Sequence, residues 1–519
     1  MSIHVKRKSG VGRRSKEASN ADSSSALVDL RSFDLRWMLV FVVVAVLVLP
    51  GIVRSYQDNP YVIGSESYYH ILLAQQLIDA KALNPFTPPS VASDSVFAER
   101  DRYFSPFHYL LAWLMVLLPS TSAKVLPAAF GALAVILFLA ILSHFRFEKH
   151  EKYVILLVFV LNPAFMYMFS VLNAHAAAIV FTLAGFFFFL KKHRIFLVIS
   201  TLCFSIVALF SIFNVVLTFA LLLVYVLSSK EKQDWFISIL FIVSLVAFFN
   251  RTELFYNYTT EVSRFDILGN LVSDLGSEIG FGAFSLILAV FGVAVGWKHK
   301  GNFLPYLVLT VALVILSLLV GGIANMYILF FVAIAAGVGF VRIVELEWKL
   351  RVIKHLTMLI IVCGFVFSSV SFMNRIISSE PDLPTTQSLS WMKDNTFRDG
   401  FVLSDYENGY WLLSVAQVKT FVDALSTQGY DQRFLYKVAD SLFYSRNIKD
   451  VRGILERYNI RYVFITASMK EGGVWNRVDE GLLFLLSDKD TFKKVYTQGD
   501  VEIWRVEYEK PEDAQSAAQ

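Results

Sequence analysis

The stretch RWMLVFVVVAVLVLPGIVR, residues 36–54, decides what kind of fold to expect. Between its terminal arginines it carries no charge, and a helix rising about 1.5 Å per residue over that length crosses most of a hydrocarbon core about 30 Å thick. Working outward, similar apolar runs recur at 123–145, 153–171, 175–190, 194–210, 211–228, 235–250, 277–297, 303–321, 323–343 and 353–376, giving about eleven candidate spans. The composition agrees: of 519 residues, 56% are hydrophobic and 17% charged, with 47 Phe and 22 Tyr, which is too apolar for a soluble protein. A polytopic α-helical membrane protein is therefore expected. The net charge of +4 is too small to support a nucleic-acid partner. The two cysteines, Cys203 and Cys363, lie inside apolar runs, which argues against a disulfide framework and a cysteine metal site.

With the N-terminus in the cytoplasm, the basic loops HFRFEKHEK, KKHR, SSKEKQD, KHK and RIVELEWKLRVIK all fall inside, as the positive-inside rule requires. The basic, Ser-rich residues 1–35 read as a disordered cytoplasmic tail, and residues 36–376 as the multi-span domain. The same orientation sends a first loop at 55–122, a turn at 171–175, the loop 251–276 and everything after 377 to the outside. Within the first loop, SPFHYLLAWLMVLLP is apolar but too short to cross comfortably, so it is read as a helix lying on the outer leaflet. Residues 377–519 change composition. GFVLSDYENG, VKTFVDAL, IRYVFITA and VEIWRVE read as short strands between helical patterns, so an extracytoplasmic α/β domain is expected.

The outward segments carry the chemistry. GSESYYHILLA, residues 64–74, places Glu66 and His70 one helical turn apart on a shared face. FAERDRYFSPF alternates the acids Glu99 and Asp101 with Arg100 and Arg102, and guanidinium groups suit phosphate. His175 follows FSVLNA at the mouth of a span, where a polar side chain is costly unless it meets a cavity or partner. YNYTTEVSRFD holds Glu261 near two Asn-x-Thr sequons, at 250–252 and 257–259. Asp405, Glu407, Tyr410 and Trp411 form an acidic and aromatic group at a strand-to-helix turn.

Taken in order, these parts resemble the GT-C membrane glycosyltransferases, most closely the catalytic subunit of archaeal and eukaryotic oligosaccharyltransferases. GSESYYHILLA is similar to the family's first acidic motif. VLPAAFGALAVILFLA is similar to its second span, and SDYENGYWLLSVAQVKTFVDALSTQ to its Trp-Trp-Asp-x-Gly signature and the segment after it. ILERYNIRYVFIT is similar to a strand of its soluble domain. The resemblance covers most of residues 36–470. It departs at three places. Asn173 and His175 stand where carboxylates are expected, Ser404 and Asp405 replace the two tryptophans, and GGIANMYILF stands where an Arg is common.

What the resemblance implies is a transferase moving a sugar or oligosaccharide from a polyprenyl or dolichyl (pyro)phosphate donor to an acceptor, protein foremost, on the outer face of the membrane. Glu66 and His70 would be catalytic, and Glu66 with His175 would hold a divalent metal (Mn or Mg) if one is used. Arg100, Arg102 and His175 would meet the donor phosphate. Glu261, Asp405, Glu407, Tyr410 and Trp411 would bind the acceptor. Donors bearing one sugar on a monophosphate, with protein or glycolipid acceptors, stay open beside the oligosaccharide. A lipid transporter needs ionisable groups near span centres, where only Asn162 and Asn214 stand out as polar. A non-catalytic subunit would tolerate loss of Glu66.

Overall fold

The computed structural model describes the chain from residue 35 to 508, apart from 60, 82–103, 120, 146, 192, 211, 230–232, 250–270, 278, 298–305, 316–322, 397–398, 424–429 and 478. Glu99, Arg100, Asp101, Arg102, Glu261, the two sequons and the N-terminal tail therefore lie outside the described residues.

The apolar runs form helices, because a chain in lipid must satisfy its own backbone polar groups. They are α1 (Leu35–Tyr56), α4 (Ser122–His144), α5 (Lys149–Val160), α6 (Pro163–Ser170), α7 (Ala174–Phe189), α8 (Arg194–Val207), α9 (Ile212–Ser229), α10 (Gln233–Phe249), α11 (Ala283–Gly296), α12 (Tyr306–Ile315), α13 (Ile323–Glu345) and α14 (Arg351–Ile377). Between α1 and α4 come α2 (Ser65–Asp79) and α3 (Pro106–Leu117). Among the described residues, four helices are long and apolar enough to cross a membrane, and α5 with α6 makes a fifth if that bent pair is one span. The remaining apolar helices are shorter. Phe41 on α1, Phe241 on α10 and Phe367 on α14 point out of the bundle, as side chains facing lipid do.

The 63° bend between α5 and α6 has a local cause. Pro163 has no N–H to donate and starts α6, while the side chain of Asn162 accepts from the amide of Ala164 and caps it. Asn173 caps α7 in the same way through Ala176. The turn between these caps supports α2, since the Leu172 amide donates to the Ser67 hydroxyl, which itself donates to the Ile63 carbonyl. Gly64, at φ 80°, provides the left-handed step that starts α2.

At the crossing of α11 and α13 the helices meet backbone to backbone. A Cβ on Gly292 would stand 1.9 Å from the Ala335 carbonyl oxygen, and one on Gly339 would stand 2.3 Å from that of Leu288. Small residues allow this approach, and van der Waals contact is what holds helices together where lipid is as apolar as the side chains. Gly292→Val is expected to cost about 1–3 kcal/mol through forced separation of the two helices. Thermal melting in detergent measures it, and an unchanged midpoint would contradict the packing described.

The C-terminal part is an α/β/α layer built on a five-stranded sheet of order β2-β1-β3-β5-β4. The strands are β1 (Phe401–Leu403), β2 (Lys419–Thr420), β3 (Ile460–Ile465), β4 (Phe492–Gln498) and β5 (Val501–Val506). The first three are parallel, and β5 runs antiparallel to both β3 and β4. Alternation along β3 divides the core. Val463 and Ile465 face α16 (Tyr430–Tyr444) and α17 (Ile448–Arg457), whereas Tyr462 and Phe464 face the opposite layer with α15 (Leu383–Asn395). Tyr68 of α2 belongs to that second layer, so the sheet's inner face is closed by the helix that carries Glu66.

Candidate active site

α2 is pinned from three sides, and its chemistry follows from that. Beneath it is the Leu172 turn and behind it the sheet layer. Beside it is α3, whose His108 Nε2 lies 2.8 Å from His70 Nδ1. Hydrogen-bond roles along this line are fixed from one end. The Ser105 backbone amide, 2.9 Å away, can only donate, so His108 Nδ1 is an acceptor and its proton sits on Nε2. His108 Nε2–H then donates to His70 Nδ1, leaving the His70 proton on Nε2, which stands 3.6 Å from Glu66 Oε1. Burial, the largest cause, holds His108 well below its ordinary 6.5, in agreement with a neutral ring. The chain amide, His108, His70, Glu66 thus points its last N–H at a carboxylate.

Glu66 keeps 40% of its side chain open although protein surrounds it. Burial pushes its carboxyl up, but the neighbouring imidazoles of His70 and His175 together outweigh that, and the net direction is down. His175, at the first turn of α7, is within electrostatic reach of the same carboxylate. A second set of contacts orients its ring. The Tyr327 hydroxyl donates to Asn214 Oδ1 at 3.0 Å, which fixes the amide, and Asn214 Nδ2 donates to His175 Nδ1 at 3.2 Å. The His175 proton is therefore on Nε2. Tyr327 also lines an apolar cavity of about 950 Å³ inside the bundle, with Phe138, Thr182, Phe204 and Phe330.

A metal ligand needs a free lone pair, and these imidazoles have none to spare, since His70 Nδ1 serves His108 and His175 Nδ1 serves Asn214. Among the described residues no three His, Cys, Asp or Glu side chains are placed to hold an ion. The described donor set does not fit a resident divalent metal.

Glu66, His70 and His175 are thus brought together. Asp405 and Glu407 stand apart from them in a pocket of the sheet layer, with Glu380. Tyr410 and Trp411 are buried at 6% and 3% exposure, and Tyr410 packs on Tyr69 with ring centroids 5.1 Å apart, so both join the sheet layer to α2 and do not face solvent. Sequence reasoning missed Tyr327, which orients Asn214, and also His108, Glu380 and Thr466. His108 had a signal, the run Ser105-Pro106-Phe107-His108, in which a helix's third residue reaches back to its N-cap. Glu380 and Thr466 had none.

Crowding among acids shapes the second pocket. Burial first, then the charges of Asp382, Glu407 and Asp405, push the Glu380 carboxyl up from 4.5 to about 7. Asp405 rises to about 6, mainly through burial. A carboxyl raised on folding binds more protons folded than unfolded. Stability is therefore full below the unfolded value of 4.5 and is lost as pH rises through about 7. Glu380→Gln is expected to raise stability at pH 7.5 by about 1–2 kcal/mol after allowance for solvent screening, and to change nothing near pH 4.5. Melting curves at the two pH values test this; a destabilised variant at pH 7.5 would refute it.

Comparison with known protein families and with curated proteins finds no match. The fold, however, is similar to those of solved oligosaccharyltransferase and ArnT structures. The oligosaccharyltransferase of Archaeoglobus fulgidus, solved in complex with Zn and sulfate, aligns with a TM-score of 0.62 at 14% identity, over 89% of this chain and 71% of its own. An oligosaccharyltransferase AglB from Archaeoglobus fulgidus, in complex with an inhibitory peptide and a dolichol-phosphate, aligns at 0.57 with 12% identity, over 92% and 75%. ArnT from Cupriavidus metallidurans, bound to undecaprenyl phosphate, aligns at 0.52 with 9% identity, over 90% and 97%.

Proposed function

We propose that the protein is a membrane glycosyltransferase that moves a sugar or oligosaccharide from a polyprenyl or dolichyl (pyro)phosphate to a peptide acceptor at the outer membrane face. The observation that carries this reading is the oriented chain from the Ser105 amide through His108 and His70 to Glu66, set opposite His175 at the seam between bundle and sheet layer. Glu66, kept ionised, takes the proton of the acceptor nucleophile as it attacks the anomeric carbon. His175, whose Nε2–H is free of Asn214, donates to the phosphate as the carbon–oxygen bond to the donor breaks, and Arg100 and Arg102 add positive charge to that group. The apolar cavity ending at Tyr327 takes part of the lipid chain. The orientation that suits these roles is about eleven spans with the N-terminus inside and residues 377–519 outside.

Support at the level of fold comes from the archaeal enzyme with its dolichol-phosphate and from ArnT with its undecaprenyl phosphate. A monophosphate-linked single sugar is the second reading. It is favoured by alignment over 97% of ArnT, against 71% of the archaeal oligosaccharyltransferase.

The test uses the full chain in detergent with radiolabelled polyprenyl-phosphate and polyprenyl-pyrophosphate sugars and a peptide library, with and without EDTA. Label in peptide, insensitive to EDTA, is expected. No transfer from any donor would remove the reading.

A further inference from the structure

Three polar side chains from three helices form one hydrogen-bonded line: Tyr327 of α13 donates to Asn214 of α9, which donates to His175 of α7. Each stands in the first two turns of its helix. Each also heads the helix face that lines the apolar cavity. Four and seven residues further on, where a helix presents the same face again, come Ile179 and Thr182 after His175, Thr218 and Leu221 after Asn214, and Phe331 and Ile334 after Tyr327. All six line the cavity. The polar line is therefore its roof, and His175 is the member that reaches the field of the Glu66 carboxylate.

The roof is firmly set. Asn214 is 0% exposed and Tyr327 1%, so turning the amide or withdrawing the hydroxyl takes a buried polar group from its partner at a cost above the worth of the bond. Below it, the Thr182 and Thr218 hydroxyls, 3.0 Å apart, tie α7 to α9 a second time. Roof and cavity meet in Tyr327, whose hydroxyl fixes which way the Asn214 amide faces and whose ring is part of the wall. From there the cavity, about 950 Å³, extends to His144, the last residue of α4, which suits a long flexible hydrocarbon. A chain seated in it adds van der Waals contact to the wall and holds the ring where it stands. The Asn214 amide is then kept in its present sense, and the His175 proton on Nε2.

We propose that Tyr327 is a positioning residue through which the donor's isoprenoid chain, seated in the cavity, sets His175 for the donor's phosphate. The proposal rests on the reading of the protein as a transferase with a polyprenyl-linked donor. It makes recognition of the phosphate depend on the chain attached to it, since only a chain that fills the wall favours the oriented form.

Binding of radiolabelled undecaprenyl phosphate, undecaprenol and farnesyl phosphate to the full chain in bilayer nanodiscs tests it without any transfer. The unaltered protein is expected to bind undecaprenyl phosphate at least about tenfold tighter than undecaprenol. Tyr327→Phe, which keeps the ring and removes the hydroxyl, should shrink that ratio and leave undecaprenol binding unchanged. His175→Gln should do the same, and the double variant should lose no more than either single one, as members of one line do. Asn214→Ala cuts the line at its middle and gives the same reading if Tyr327→Phe does not fold. Farnesyl phosphate should lose far less to Tyr327→Phe than undecaprenyl phosphate does. Equal losses for undecaprenyl phosphate and undecaprenol would mean that Tyr327 serves the wall alone, and the proposal falls. It falls equally on an unchanged ratio in Tyr327→Phe, on additive losses in the double variant, or on the same loss with farnesyl phosphate. Transfer assays separate the two readings. The expected ratios without transfer from any donor leave the line standing and remove the transferase. Transfer with an unchanged kcat in Tyr327→Phe does the reverse.

Discussion

Glu66→Gln is expected to lower kcat for sugar transfer by about 10²–10⁴-fold while leaving KM for the peptide and the melting midpoint nearly unchanged. Glutamine has the shape of glutamate, so packing against the Leu172 turn and α3 is kept. What is lost is the capacity to take a proton. Because His70 and His175 hold the Glu66 carboxyl below the usual carboxylate range, the base is already ionised under mildly acidic conditions. Its loss of function is therefore expected to be the same at pH 6 and pH 8. A Gln variant with transfer within about threefold of the unaltered protein, in single-turnover assays, would show that the carboxylate is not the base.

Arg54→Leu is expected to be the most damaging single change to the fold. The guanidinium is 2% exposed at the outer end of α1. Its Nη1 donates to the carbonyls of Ile377 at 2.9 Å and Ser379 at 2.7 Å, and Nη2 donates to that of Pro381 at 2.9 Å. Those three carbonyls belong to the end of α14 and the passage into the sheet layer. A charged donor makes each bond stronger than a neutral one, and leucine would leave the carbonyls of Ile377 and Ser379 without this donor. Asn59 still donates to Pro381. The expected cost is about 3–5 kcal/mol, below the plain sum because the bonds share one desolvated cation. Limited proteolysis should cut the chain between 377 and 383 in the variant first. Intact protein with an unchanged melting midpoint would mean that Arg54 is not what fastens the two parts.

Local sequence was enough wherever the deciding interaction is local. The apolar runs became helices because their length and lack of charge leave lipid as the matching solvent. Glu66 and His70 share a face because helices repeat on a four-residue scale. The α16 and α17 patterns were likewise readable from period alone. Strand β4, FKKVYTQ, was not recognised, since its Lys493 and Lys494 are edge features that blur the alternation. The wider site was hidden for another reason. His70 meets His108 across 38 positions, and Asn214 meets Tyr327 across 113. No periodicity links such partners; they are neighbours only after the α6–α7 turn and the sheet layer have fixed α2. The interior placement of Tyr410 and Trp411 was hidden too, because an aromatic pair beside acids reads the same whether it faces a ligand or closes a seam.

The row of imidazoles begins at a peptide N–H, and that gives it a one-way character. An amide cannot surrender its hydrogen at any physiological pH, so nothing can hop backward from Glu66 through His70 and His108 to a distant exit. The row is a brace, and the site has no drain on that side. Whatever hydrogen the carboxylate collects in one turnover has to depart through its solvent-open flank, with the leaving phosphate or into the medium, before the next acceptor can be engaged.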